Sequence, residues 1–218
     1  MKGQPLTEPL WEYIVSTFAE EDALLRAMVE EAKAAAIPLI HIAPEQGKFL
    51  QVLMKLVSAK KVLEVGSLFG YSAVWMGRAL PPGGRLVTLE LEAKHAAMTR
   101  TNLERAGLGP VARVVEGDAR KTLPTLAGEA PFDLAFVDAA KMQYIEYFEP
   151  VLALLRPGAV LVADNASAHG EVWKSDPIPE RAAGARAMNA RMAEDPRLTS
   201  LLVPIGDGMC VGVLTAGG

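Results

Sequence analysis

The sequence is poor in the residues that bind soft metals or close disulfides: one cysteine and three histidines among 218 residues. A lone Cys210 can make no internal disulfide, so cysteine usage fits a reducing compartment, and the expected location is cytoplasmic. Cys210 lies in the apolar run MCVGVL and reads as a small core residue. Nothing offers the Cys and His set that zinc favours. Long hydrophobic runs are missing too: no stretch approaches the ~18 apolar residues that span a bilayer, because Asp, Gly and Pro interrupt each one. The opening MKGQPLTEPLWEY has neither an apolar leader core nor a small-residue cleavage site. Basic charge is not in excess. With 22 Lys and Arg against 26 Asp and Glu, the formal net charge of −4 argues against a nucleic-acid-coating role. Repeats and low-complexity tracts are absent.

Half of the residues are hydrophobic, and the length suits one domain with a single core. We expect a single unit over 1–218, with a helical segment at 1–58 ahead of a core at 59–218. The segment EPLWEYIVSTFAEEDALLRAMVEEAKAAA carries apolar residues at helical spacing, and PEQGKFLQVLMKLVSA reads as a second amphipathic helix. From residue 61 short apolar strands alternate with helices. The strands are KVLEVG, RLVTLEL, ARVVEGD, FDLAFVD and AVLVADN. The helices are YSAVWMGRAL, EAKHAAMTRTNLERAG, ARKTLPTLAG and MQYIEYFEPVLALL. This alternation predicts an α/β fold with a doubly wound, mostly parallel sheet covered by helices on both faces. The last strands, LTSLLVPI and MCVGVLTA, joined through GDG, predict an antiparallel hairpin and a seven-stranded sheet.

Ligands of open α/β sheets bind beyond the carboxyl ends of the strands. Those ends carry Glu64 and Gly66, Glu90, Gly117 and Asp118, Asp138, and Asp164 with Asn165. Turn and capping chemistry accounts for one or two acidic residues there. So many carboxylates converging on one rim repel one another unless a cation joins them. The first loop, EVGSLFGYS, lacks the middle glycine of the dinucleotide fingerprint, since Leu68 stands in its place. An acidic rim suits a positively charged ligand better than a pyrophosphate.

The stretches VLEVGSLFGYSAVWMGRALPPGGRLVTLE, FVDAAKMQYIEYF, LLRPGAVLVADN and DPRLTSLLVPIGDGM together resemble the cation-dependent O-methyltransferases, the group of catechol and caffeoyl-CoA O-methyltransferases. The resemblance runs from about IAPEQGKFL to the C-terminus. It implies the class I S-adenosylmethionine-dependent methyltransferase fold, S-adenosylmethionine as cofactor, one divalent cation (Mg²⁺ first, Ca²⁺ or Mn²⁺ as alternatives), a vicinal diol or catechol-type small molecule as acceptor, and a homodimer. By residue matching, Asp138, Asp164 and Asn165 are the metal ligands and Lys141 is the general base. Glu64, Gly66 and Ser72 hold the methionine end of the cofactor, Glu90 its ribose, and Asp118 and Ala119 flank its adenine, with Asp138 also among the cofactor-binding residues. Three oxygen ligands suit a hard cation with positions left for substrate and water. A free lysine titrates near 10.4, so Lys141 as a base needs that value lowered by burial and a nearby cation.

Two positions depart from the family pattern. Ala140 stands where a carboxylate is common, and Ala168 stands where a bulky residue, frequently tryptophan, is common. The second predicts a roomier acceptor pocket. Among the remaining residues, His169 reads as a solvated loop residue, His95 as a surface residue and His41 as a neighbour of the cofactor segment. Tyr144 and Tyr147 read as packing residues, Arg186 and Asn189 as members of a helix that shapes the acceptor site. Trp11 and Tyr13 belong to a dimer contact or the pocket mouth. Three other functions compete: methylation of a hydroxylated tRNA base, drawing on Arg100, Arg105, Arg113, Arg120 and Lys121; a nicotinamide dehydrogenase; and a non-catalytic cofactor-binding relative.

Overall fold

The computed structural model describes residues 6–175 and 177–215, so the ends of the expected unit, at 1–5 and 216–218, and position 176 lie outside the described residues. Two helices, α1 (Glu8–Phe18) and α2 (Ala23–Ala34), replace the single long one that periodicity suggests. The break falls where Asp22 caps α2, its Oδ1 accepting the Leu25 N–H at 2.9 Å. After α3 (Pro44–Leu56) comes the alternation: β1 (Lys61–Val65), α4 (Tyr71–Ala79), β2 (Arg85–Glu90), α5 (Ala93–Arg105), β3 (Ala112–Glu116), α6 (Ala119–Thr122), β4 (Phe132–Val137), α7 (Tyr144–Leu152) and β5 (Leu155–Ala163). A last helix, α8 (Glu180–Glu194), leads into β6 (Leu198–Val203) and β7 (Met209–Leu214).

The boundaries shift where proline or an early strand intervenes. The expected helix ARKTLPTLAG keeps one α turn and continues as a 3-10 helix from Leu123, because Pro124 has no N–H to give. The expected helix MQYIEYFEPVLALL stops at Leu152, and β5 starts at Leu155, which pairs with Phe132 of β4.

Among the described residues the strands form a seven-stranded sheet in the order β3-β2-β1-β4-β5-β7-β6. β1 to β5 run parallel, while β7 is antiparallel to both β5 and β6. Alternate residues serve opposite faces. Val62, Leu134, Phe136, Val160 and Val162 pack under α2, α3 and α4. Leu63, Val65, Ala135, Val137, Leu161 and Ala163 pack against α7 and α8. Being covered on both sides, the central strands are apolar at most positions, with Glu64 and Thr88 as buried polar exceptions. Of the helices before β1, α2 and α3 therefore form part of one face of the core.

Hydrogen bonds across the strand ends align them into one rim. Gly117 N–H reaches the Glu90 carbonyl at 2.8 Å, Gly66 N–H that of Leu89 at 2.9 Å, Asp138 N–H that of Val65 at 2.9 Å, and Asp164 N–H that of Val137 at 3.0 Å. The β1 and β4 ends touch: Gly66 has φ +93°, and a Cβ there would collide with the Asp138 carbonyl. Only glycine allows that approach.

Candidate active site

The rim borders a cavity of about 830 Å³, within the range of small-molecule sites. Gly66, Ser72, Glu90, Asp118, Ala119, Asp138, Lys141, Asp164 and Asn165 all line it. Glu64 does not. It is fully buried one layer behind the wall, where its carboxylate accepts hydrogen bonds from Ser72 Oγ and from Thr88 Oγ1, the latter at 2.5 Å. Burial pushes Glu64 up to about 7, against those two hydrogen bonds, which pull it down. Glu64 thus meets the cavity through Ser72, which faces it.

The β1–α4 loop bends through Leu68 at φ +53°, without the glycine of a dinucleotide loop. Its amides point at Glu90: Oε2 accepts from Ser67 N–H at 3.1 Å and Leu68 N–H at 2.7 Å. Oε1 accepts from Glu92 N–H at 3.0 Å. A carboxylate oxygen has two acceptor positions, so Oε1 keeps one for a ligand hydroxyl. The loop donors that would cradle a pyrophosphate are already occupied, which counts against the nicotinamide dehydrogenase. His95, expected at the surface, lies 3.7 Å from Glu90 Oε1 and lines the same cavity. His41 lines it as well, packed against the Phe69 and Tyr71 rings with centroids 5.1 and 4.8 Å away. Burial lowers its affinity for a proton, with the Glu21 charge opposing. Asp118 caps α6 through the Arg120 N–H at 2.9 Å and pairs with the Arg120 guanidinium at 2.7 Å.

At the other end, Val137 of β4 stands opposite Ala163 of β5. The next residues, Asp138 and Asp164, are therefore neighbours across about 4.8 Å of strand spacing. Asn165 follows in the left-handed region at φ +52°, a conformation that asparagine tolerates. Lys141 Nζ donates to Asp138 Oδ1 at 2.7 Å and to the Tyr144 hydroxyl at 2.6 Å. That hydroxyl lies 3.1 and 3.2 Å from the Val137 and Asp164 carbonyls. Gln46 Nε2 of α3 donates to Asp164 Oδ1 at 2.7 Å. Burial, and then the Asp138 charge, raise Asp164 to about 7. Burial alone would lower Lys141, but Tyr144 and Asp138 outweigh it and hold the ammonium above its usual range. The lowering expected of Lys141 as a base needs the charge of a nearby cation as well as burial.

Two residues here escape sequence reasoning. Tyr144, read as packing, is buried but uses its hydroxyl to hold Lys141; the three-residue spacing between them was the available signal. Gln46 lies 118 positions from Asp164, and no local pattern joins them. Tyr147 is buried, and its hydroxyl reaches Gln143 Oε1 at 2.5 Å. Trp11 and Tyr13 do not line the cavity. Arg186 Nε donates to the Val172 carbonyl and Asn189 Nδ2 to that of Ala166, both at 2.8 Å, so they shape the acceptor side by pinning its loop. His169 is exposed, but its N–H donates to Asp207 Oδ1 at 2.7 Å. Ala168 is 4% exposed and packs against Ala182 and Ala185 of α8. Ala168 lines the cavity and also packs against Ala182 and Ala185, so α8 stands beside the wall where a roomier or differently shaped pocket was expected.

Among the described residues no group of three or more His, Cys, Asp or Glu is placed to hold a metal. The set at issue is two aspartates and an asparagine. Its donors are all oxygen, and two carboxylates share a single ammonium, so the chemistry fits a hard cation.

The parallel sheet closed by an antiparallel hairpin, with acidic strand ends around one cavity, is the architecture of class I S-adenosylmethionine-dependent methyltransferases. The family model described as O-methyltransferase matches residues 15–214, and the chain belongs to that family. It is 41% identical over 214 residues to a catechol O-methyltransferase of Niastella koreensis, covering 95% of this chain and 97% of that one. It is 39% identical over 203 residues to a catechol O-methyltransferase of Mycobacterium tuberculosis, covering 93% and 91%. The structure of a Bacillus cereus O-methyltransferase in complex with SAH superposes with a TM-score of 0.87 at 37% identity, covering 94% of this chain and 96% of that one.

Proposed function

We propose that this chain methylates a hydroxyl of an aromatic vicinal diol, using S-adenosylmethionine and one divalent cation. The observation that carries the reading is the juxtaposition of Asp138, Asp164 and Asn165 on neighbouring strand ends beside Lys141. S-adenosylmethionine supplies an electrophilic methyl group, and a cation at the three oxygen ligands supplies positive charge that acidifies a nearby hydroxyl. Mg²⁺ fits best, with Mn²⁺ or Ca²⁺ as alternatives. Glu90 binds the cofactor ribose through the free position on Oε1, and Ser72, set by Glu64, faces the methionine end beside Gly66. Asp118 and Ala119 border the adenine. Lys141 Nζ would take up the acceptor proton once the charge of a bound cation has driven its own proton to solvent, and Tyr144 fixes its position. The protein's main contribution is alignment of two reactants in one cavity.

Methylation assays with catechol, with and without EDTA, test the reading; turnover indifferent to chelation, or no turnover of any diol, contradicts it. The non-catalytic alternative loses ground because Asp138 and Lys141 face the cavity despite Ala140. The tRNA alternative is weakened, because four of its five basic residues are in ion pairs, while Lys121 stays exposed. Arg100, Arg105, Arg113 and Arg120 pair with Glu116, Glu31, Glu129 and Asp118 respectively. A homodimer is supported by α1, which buries none of its residues and exposes Leu10, Tyr13 and Phe18. Light scattering at twice the 23.3 kDa chain mass tests it.

A further inference from the structure

Among the described residues, most of the charged groups that line the cavity have a close partner. Asp138 is held by Lys141 and Asp164 by Gln46; Asp207 Oδ1 accepts from the His169 N–H, while its Oδ2, 3.6 Å from the His169 ring, has no hydrogen-bond partner. Arg120 is taken up by Asp118 and Glu146. Arg181, on the first turn of α8, lines the cavity, and among the described residues no carboxylate lies within ion-pair distance of it. Glu171 feels its charge but is paired with Lys174 at 2.7 Å.

The position of Arg181 is fixed by packing. Ala168, Ala182 and Ala185 meet as small buried residues, so α8 lies close to the cavity wall. Gly184, three residues after Arg181, abuts the Lys141 carbonyl so closely that a Cβ would collide with it. Residues three apart share a helix face. Arg181 is thus about one turn, ~5 Å along the axis, from the backbone of Lys141. Its planar guanidinium lines the cavity with no carboxylate in ion-pair distance among the described residues, so it can receive the carboxylate of a bound ligand.

We propose that the acceptor is an anionic diol, an aromatic vicinal diol bearing a carboxylate, and that Arg181 binds this carboxylate and so sets substrate preference. The inference rests on the methyltransferase reading above. It is tested with 3,4-dihydroxybenzoate, catechol and dopamine as acceptors, comparing wild type with Arg181→Ala and Arg181→Lys, and with Arg100→Ala at the far edge of the sheet as a control. Wild type is expected to favour the carboxylate over catechol by about five- to tenfold in kcat/KM, mainly through KM, the scale of a partly exposed ion pair. Dopamine ranks last. Arg181→Ala brings the carboxylate-to-catechol ratio to about one, Arg181→Lys retains part of it, and Arg100→Ala leaves it as in wild type. Wild type preferring catechol or dopamine overturns the proposal, as does a ratio unmoved by Arg181→Ala. Turnover of none of the three diols by wild type overturns the catalytic reading itself, a result distinct from methylation with the wrong preference.

Discussion

The two ends of the cavity handle buried carboxylates in opposite ways. At the cofactor end, Glu64 and Glu90 are satisfied by the protein: two hydroxyls serve the first, and loop amides serve the second. At the acceptor end, Asp138 and Asp164 lie on adjacent strands with one ammonium and one amide between them. The first end is complete and needs only a neutral hydroxyl from its ligand. The second still lacks positive charge, which a cation would supply. The same sheet edge thus holds a finished hydrogen-bonding frame beside a site short of a counter-charge.

The contrast can be broken in order of expected effect. Lys141→Ala removes the proton acceptor, and kcat for catechol should fall about 100- to 10,000-fold, the usual contribution of a positioned acid or base. Steady-state kinetics, with a melting curve to show that the fold persists, check it. Next is Glu64. Its folded value near 7 lies above the ordinary 4.5, so the folded state holds a proton that the unfolded chain releases. Stability from this group is full below about 4.5 and is lost as pH rises through 7, a span on the order of 3 kcal/mol. Urea unfolding at pH 5 and 7.5 should show this decline in wild type and a flatter profile in Glu64→Gln. An equal decline in both would mean that Glu64 is not the group responsible. Glu90→Gln should weaken S-adenosylhomocysteine binding by about 10- to 100-fold in calorimetry, since it removes a charge-assisted acceptor and disturbs the loop amides. Smallest is Arg113→Ala. Its ion pair with Glu129 is about half exposed, so stability should change by less than about 1 kcal/mol and tRNA retention should not change at all.

Much of this was legible in the sequence. Apolar strands ending in Glu, Gly and Asp announced a parallel sheet and its ligand rim, because strands buried on both faces are apolar at most positions. The hairpin followed from two apolar runs around GDG. What remained hidden depended on contacts between distant segments. Gln46 meets Asp164 only after α3 folds over the strand ends. Glu64 sits behind Ser72 because alternation turned its side chain inward from the rim. His95 turned out to face Glu90, which helix polarity alone does not reveal. Ala168 suggested an open wall, yet the same small side chain packs against α8, which carries Arg181 to the cavity. The break between α1 and α2 was not read from the sequence, because the apolar periodicity runs across it; the Asp22 cap shows only in the structure.

The central claim is that the acidic pair of β4 and β5, with Asn165, holds a divalent cation on which methyl transfer depends. The direct measurement is methyl transfer from S-adenosylmethionine to catechol by the intact protein, first after exhaustive EDTA treatment and then after Mg²⁺ is restored. The account predicts that turnover disappears with the chelator and returns with the ion. Undiminished turnover in EDTA would contradict it.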